Sequence, residues 1–188
     1  MIPYIVTGFA IAGVMIYLVA IYNGLVGLRN DIDKAWANID VLLKQRHDEV
    51  PRLVEVCKGY MQYEAETLRA LSEARMKYAL ATTVTQKAVA SGRVSDSVLN
   101  LFAVAQHYPD LKANVVFLEL QKQITELESQ IADRREYFND AINLFNTRIQ
   151  EMPDKLLAGP MGLKPRAMFQ VTATEKSTVK VVLAPTHV

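Results

Sequence analysis

No charged side chain occurs between Ile2 and Tyr22, and the first Lys or Arg of the chain is Arg29. A run of that kind has few uses. Crossing the hydrocarbon core of a bilayer takes roughly 20 apolar residues in a helix, and this run is just long enough. Tyr4 beside Pro3 at one end, and Tyr17 and Tyr22 toward the other, suit rings that anchor at the two interfaces. The rival use is a cleaved signal peptide, with Ala10-Ile11-Ala12 as a loose cleavage site. A signal peptide wants a positively charged segment ahead of the apolar one, and none is present here. The apolar run also continues ten residues past that site. Residues 1–23 therefore read as an uncleaved transmembrane anchor.

Charge asymmetry orients it. Arg29, Lys34, Lys44 and Arg46 follow the run, whereas only the terminal amine precedes it. The positive-inside rule then places the N-terminus outside and everything after Tyr22 in the cytoplasm. Gly8 and Ala12 lie four apart on one helix face, a small-xxx-small spacing that lets membrane helices approach closely. They are the candidate contacts for a homo-oligomer within the bilayer.

After the span the pattern does not break. Leu28, Ile32, Ala35, Ile39, Leu42, Arg46, Leu53, Cys57, Tyr60, Glu64, Leu68, Leu71 and Arg75 recur at steps of three and four, except around Pro51. This is the seam of a helix lying lengthwise against others, with Trp36 and Leu43 widening it on one side. Pro51 removes a backbone donor and either ends the helix or kinks it. Because the periodicity resumes at once, the sequence predicts a kinked helix running to about Ala90. Ser91-Gly92 reads as a loop and Ser95 as the N-cap of a shorter helix through about Gln106.

Tyr108-Pro109-Asp110 interrupts the chain again, with Asp110 as the expected cap of a last helix. Leu120, Ile124, Leu127, Ile131, Arg134, Phe138, Ala141, Phe145 and Ile149 carry its seam to about Met152-Pro153. At ~1.5 Å per residue that helix is on the order of 60 Å long, so the bundle is expected to be a rod. The fold class is all-α, with the anchor continuing into a long antiparallel helical bundle over residues 24–156. The tail, residues 157–188, opens on Ala158-Gly159-Pro160-Met161-Gly162 and reads as irregular, with a short strand open to Thr178–Leu183.

The 188 residues fit one domain plus an anchor, and 51% apolar content is enough for a real core. A net charge of +1, with both signs dispersed, leaves no basic stripe for nucleic acid. Cys57 is the single cysteine, so no intramolecular disulfide can form.

Chemistry is hard to place. A di-iron site in a helical bundle needs Glu-x-x-His pairs, but the residues three before His47, His107 and His187 are Lys44, Val104 and Ala184. A Cys57–His47 zinc pair lacks further ligands. Ser177-Thr178-Val179-Lys180 matches Ser-x-x-Lys, yet it sits in the tail without the companion motifs, and chance accounts for it. The eight glycines are scattered rather than gathered into a phosphate loop. No catalytic residue, cofactor or metal is assigned, and the chain reads as a non-enzyme. Tyr108, Pro109, Asp110 and Lys112 form a candidate docking corner, against the simpler reading in which proline stops one helix, aspartate caps the next and Tyr108 with Leu111 closes the bundle end. Arg46, Glu64 and Arg134 lie at or beside the seam, where charges are expected to pair with each other or reach outward.

These residues resemble the LemA family of bacterial membrane proteins. The matching stretches include Tyr22-Asn23, Leu28-Arg29-Asn30, Ala35-Trp36, Ile39-Asp40-Val41, Leu53-Val54-Glu55 and Lys58-Gly59-Tyr60. The most specific block is Tyr108-Pro109-Asp110-Leu111-Lys112-Ala113-Asn114, followed by Phe117, Leu120-Gln121, Arg135, Asn139, Asn146 and Phe169. The sequence departs from the family pattern at Gln45, where a second basic residue is usual, and at Tyr63, where His is usual. It departs again at Phe138 and Phe145, where Tyr is usual.

The resemblance covers about Tyr22 to Phe169 and implies a single span of the inner membrane, N-terminus outside, with a cytoplasmic antiparallel bundle and no established activity. Some relatives are associated with membrane organelles of magnetic bacteria, and others look linked to a membrane zinc metalloprotease. Two functions follow as expectations. The first is a scaffold that self-assembles at the bilayer and organises a membrane patch or partner proteins; the second is an adaptor or regulator of a membrane enzyme such as that protease.

Overall fold

The computed structural model describes residues 2–169. All regular structure among them is helical: α1 (Ile2–Lys58), α2 (Ala65–Leu80), α3 (Val84–Ala105), α4 (Pro109–Lys112), α5 (Val115–Arg148) and α6 (Lys155–Ala158). The all-α architecture expected from the periodicity is the one observed. The tail expected to be irregular or short-β lies, from residue 170 onward, outside the described residues. The described residues divide into two compact units, one of residues 2–52 and 119–168, the other of 53–118 and 169.

The first unit is an antiparallel pair built from α1 and α5. The Trp36 and Phe138 rings pack 5.8 Å apart, and Arg46 reaches Glu128. Ten residues forward on α1 thus correspond to ten backward on α5. Ile32, Ala35, Ile39, Leu43 and Val50 line the α1 side and Leu120, Ile124, Ile131, Phe138, Ile142 and Phe145 the α5 side, all buried. Each fully buried Leu, Ile or Phe contributes about 1.5–3 kcal/mol relative to exposure. The buried positions on α1 drift from the expected seam, with Leu43 inside and Leu42 only half-buried. Pro51 sits within α1, which continues past it; a proline inside a helix forgoes one backbone bond, and burial of Val50, Leu53 and Val54 on either side offsets that cost.

Beyond α5 the chain turns back. Met152-Pro153 is a cis peptide, Gly162 takes φ of +65°, and a segment without regular structure leads to Phe169. That segment is fastened at Arg166. Its amide N–H donates to Asn146 Oδ1 at 2.8 Å, its carbonyl accepts from Asn146 Nδ2 at 2.9 Å, and its guanidinium covers Phe145 and donates to Asp33 at 2.6 Å.

The second unit corrects three expectations. The first helix does not run to Ala90 but ends at Lys58, where Gly59 follows and the Cys57 carbonyl accepts from the amides of both Tyr60 and Met61. Met61 plugs the turn from inside. Ser91-Gly92 is not a loop: both residues are buried in the middle of α3, which packs on α2. The Ser95 hydroxyl bonds back to the Ser91 carbonyl at 3.2 Å rather than capping a helix. The true start of α3 is Thr83, whose hydroxyl accepts from the Gln86 amide while the Gln86 side chain accepts from the Thr83 amide, a reciprocal capping box.

The third correction concerns α5. Asp110 lies in the first turn of the four-residue α4, and Asn114 caps α5 by accepting from the Phe117 amide at 3.0 Å. The last long helix therefore spans Val115–Arg148 instead of beginning at Asp110.

Candidate membrane span and docking corner

The apolar start of α1 is long and apolar enough to cross a membrane, and almost none of it is buried by the rest of the chain. Tyr4, Phe9, Ile16 and Tyr17 all project freely. Burial begins at Ile21 and Leu25, so one uninterrupted helix is exposed over its first five turns and becomes a core element afterward. Gly8 and Ala12 lie on the exposed stretch, and a Cβ added at Gly8 or Gly13 would meet nothing within 4 Å.

The Tyr108–Asn114 block ties the second unit together. The Tyr108 hydroxyl donates to Glu64 Oε1 at 3.2 Å, fixing the head of α2 against the α3–α4 turn. Partial burial, the hydrogen bond to Glu64 and its negative charge, in that order, raise the phenol above its ordinary pKa. Asn114, besides capping α5, donates to the Tyr60 hydroxyl at 3.0 Å. Leu111 is fully buried, and Phe102 meets Phe117 edge-on at 6.3 Å. Of the four candidate docking residues, Tyr108 is half-buried, while Pro109, Asp110 and Lys112 face solvent. Next to them Val115, Val116 and Leu118 form an exposed apolar patch at the head of α5.

Of the three seam charges, one reaches outward as expected and two find partners outside the set. Arg46 is buried and donates to Glu128 at 2.5 Å, and Arg134 faces outward. Glu128 is the partner that periodicity missed, since it lies one place past the seam residue Leu127. Arg148 donates to the buried Asp154, and that bond, ahead of nearby carboxylate charge, raises its guanidinium further above its ordinary pKa. The Arg166 clamp was also invisible in the sequence, because Asp33 stands 133 residues away.

Cys57 is fully buried, and burial pushes its thiol up to about 11, the environment of an inert core thiol. Among the described residues no three His, Cys, Asp or Glu side chains gather closely enough to hold a metal ion.

Comparison with known proteins agrees with the residues singled out above. The profile of the LemA family matches residues 35–182. Protein LemA of Metamycoplasma hominis is 25% identical over 158 residues, covering 84% of this chain and 72% of the relative. Magnetosome proteins MamQ 1 and MamQ 2 of Paramagnetospirillum magneticum are each 23% identical over 175 residues, covering 79% of this chain. The chain spans 64% of the length of the two MamQ relatives.

Proposed function

The chain belongs to the LemA family, and on that premise we propose that it is a non-catalytic scaffold, anchored in the bacterial inner membrane by the start of α1, that self-assembles and organises a membrane patch or partner proteins. One observation carries the reading. The exposed apolar stretch and the buried stretch of α1 belong to the same helix, with no linker between them. A chain anchored this way presents its folded surface to neighbours in a fixed attitude, which suits organisation better than turnover. Relatives named as magnetosome proteins fit such a role. Lys and Arg following the span favour N-terminus outside and bundle in the cytoplasm.

Gly8 and Ala12 are the proposed contacts between copies. The mass of the protein in mild detergent tests this: Gly8→Leu with Ala12→Leu should retain insertion and helicity while shifting the particle to smaller assemblies. Unchanged assemblies would leave the span as an anchor only.

The exposed Val115, Val116 and Leu118 beside Pro109, Asp110 and Lys112 favour a second reading, an adaptor that holds or regulates a membrane enzyme such as a zinc metalloprotease. A stoichiometric second protein in the same preparation, lost on Val116→Asp, would favour the adaptor over the scaffold.

A further inference from the structure

The foot of the first unit reaches the apolar stretch of α1. Tyr17 and Ile21 of α1 share a groove of about 380 Å³ with Arg148, Met152, Pro153 and Asp154 at the α5–α6 corner. The first charged residue of α1 is Arg29, so this corner sits beside helix that is uncharged for a further two turns. A hydrocarbon core of roughly 30 Å takes about 20 helical residues, which carries a span starting at Pro3 to Tyr22. Packing against Tyr17 and Ile21 therefore sets the corner from about 2 to about 7 Å below that level, across the boundary between acyl chains and headgroups where rings such as Tyr17 anchor.

The corner is dressed for that depth. Met152 is 69% exposed and Leu156 61%, and no other described residue covers them. The charges nearby cancel: Arg148 donates to Asp154, and Lys155 follows Glu151 four residues later.

We propose that the α5–α6 corner is a second membrane contact, in which Met152 and Leu156 enter the interfacial layer of the bilayer beside the span. Its occupant is lipid, and because its charge cancels, zwitterionic lipid suffices. The proposal rests on reading the start of α1 as a span.

The test uses the full chain in phosphatidylcholine vesicles with single cysteines at Met152→Cys, Leu156→Cys, Val14→Cys and Tyr137→Cys, each carrying an environment-sensitive fluorophore. Cys57 is buried and does not compete for label. Tyr137 is exposed on α5, roughly 16 Å along the helix from Arg148. Nitroxide placed on the lipid acyl chains should quench most of the emission at positions 14, 152 and 156, and leave 137 bright. Quenching at 14 alone, with 152 and 156 open to aqueous iodide, overturns the corner while sparing the span. Shielding of 152 and 156 from both quenchers means protein covers them, a second copy included, and also overturns it. A bright label at 14 overturns the span reading and the corner with it. Circular dichroism matching the parent confirms that each labelled chain is folded.

Discussion

Arg46 lies inside the helix pair with its Nη1 2.5 Å from Glu128 Oε1, a contact that joins residues 82 apart in the sequence. Its side chain is 2% exposed and that of Glu128 23%, so the arginine is the desolvated partner. A guanidinium held that way depends on its carboxylate far more than a surface pair would.

Glu128→Ala should therefore destabilise the fold by about 3 kcal/mol, because it takes a carboxylate away from a desolvated guanidinium. Arg46→Met combined with Glu128→Leu should recover most of that loss, since an apolar pair needs no partner. Urea unfolding of the detergent-solubilised protein, followed by helix content, measures both. A cost for Glu128→Ala as small as the ~0.5 kcal/mol of a surface pair would contradict the argument.

At the Tyr108–Asn114 block the structure separates capping from appearance. Asn114→Ala should cost about 1 kcal/mol or more, losing the cap of α5 and the bond to Tyr60 together. Tyr108→Phe should cost about 1 kcal/mol through the bond to Glu64. Asp110→Ala should fall within about 0.5 kcal/mol, as an exposed side chain that is not the cap residue of any helix. Ranking the three by thermal melts checks the assignment.

Gly92→Leu should destabilise by about 3 kcal/mol, since Gly92 is buried in the middle of α3 and a leucine there overpacks the core. A solvent-loop glycine at that position would tolerate the change, so a melt close to the parent's would reinstate the loop.

Cys57 makes stability fall at high pH. Its thiol ionises at 9.0 when free and about 11 when folded, so between those values the unfolded chain has lost a proton that the folded chain keeps. Full stability holds below pH 9 and declines toward 11, by at most about 3 kcal/mol. Other groups titrate there as well, so the comparison is with Cys57→Ala, which should lose less stability over the same range. The buried thiol should also resist maleimide near neutral pH until the chain unfolds.

Val14→Arg places a charge in the middle of the exposed apolar stretch, which costs on the order of 3 kcal/mol for a membrane helix. Carbonate-washed membranes should lose this variant and keep the parent. Equal retention would count against the span.

The long helices were legible because burial of one face forces spacing of three and four, and Ile32 to Ile39 and Leu120 to Phe145 obey it. The end of α1 was hidden for the same reason. Tyr60, Glu64 and Leu68 keep the spacing in step across a turn, so the phase survives where the helix does not, and only Gly59 betrays the break. Ser91-Gly92 misled in the opposite way, because small residues serve loops and close helix contacts alike. The capping box at Thr83 and Gln86 was readable in principle, but it lay inside a helix already drawn through it. Arg166 offered no local signal at all. Its partners Asp33, Phe145 and Asn146 meet it only after the chain has folded back.

The unbroken passage of α1 from exposed stretch to core gears one to the other. A helix advances by about 100° and 1.5 Å with each residue, so the bearing of Gly8 and Ala12 within the bilayer is dictated by where Ile32 and Ile39 point. One residue inserted after Tyr22 would swing that face by about 100° while barely lifting the bundle. Seven inserted residues would raise it by roughly 10 Å yet return the face to within about 20° of its starting azimuth. A lateral contact between copies should then survive the long insertion better than the short one, as a shaft tolerates lengthening but not slipped teeth.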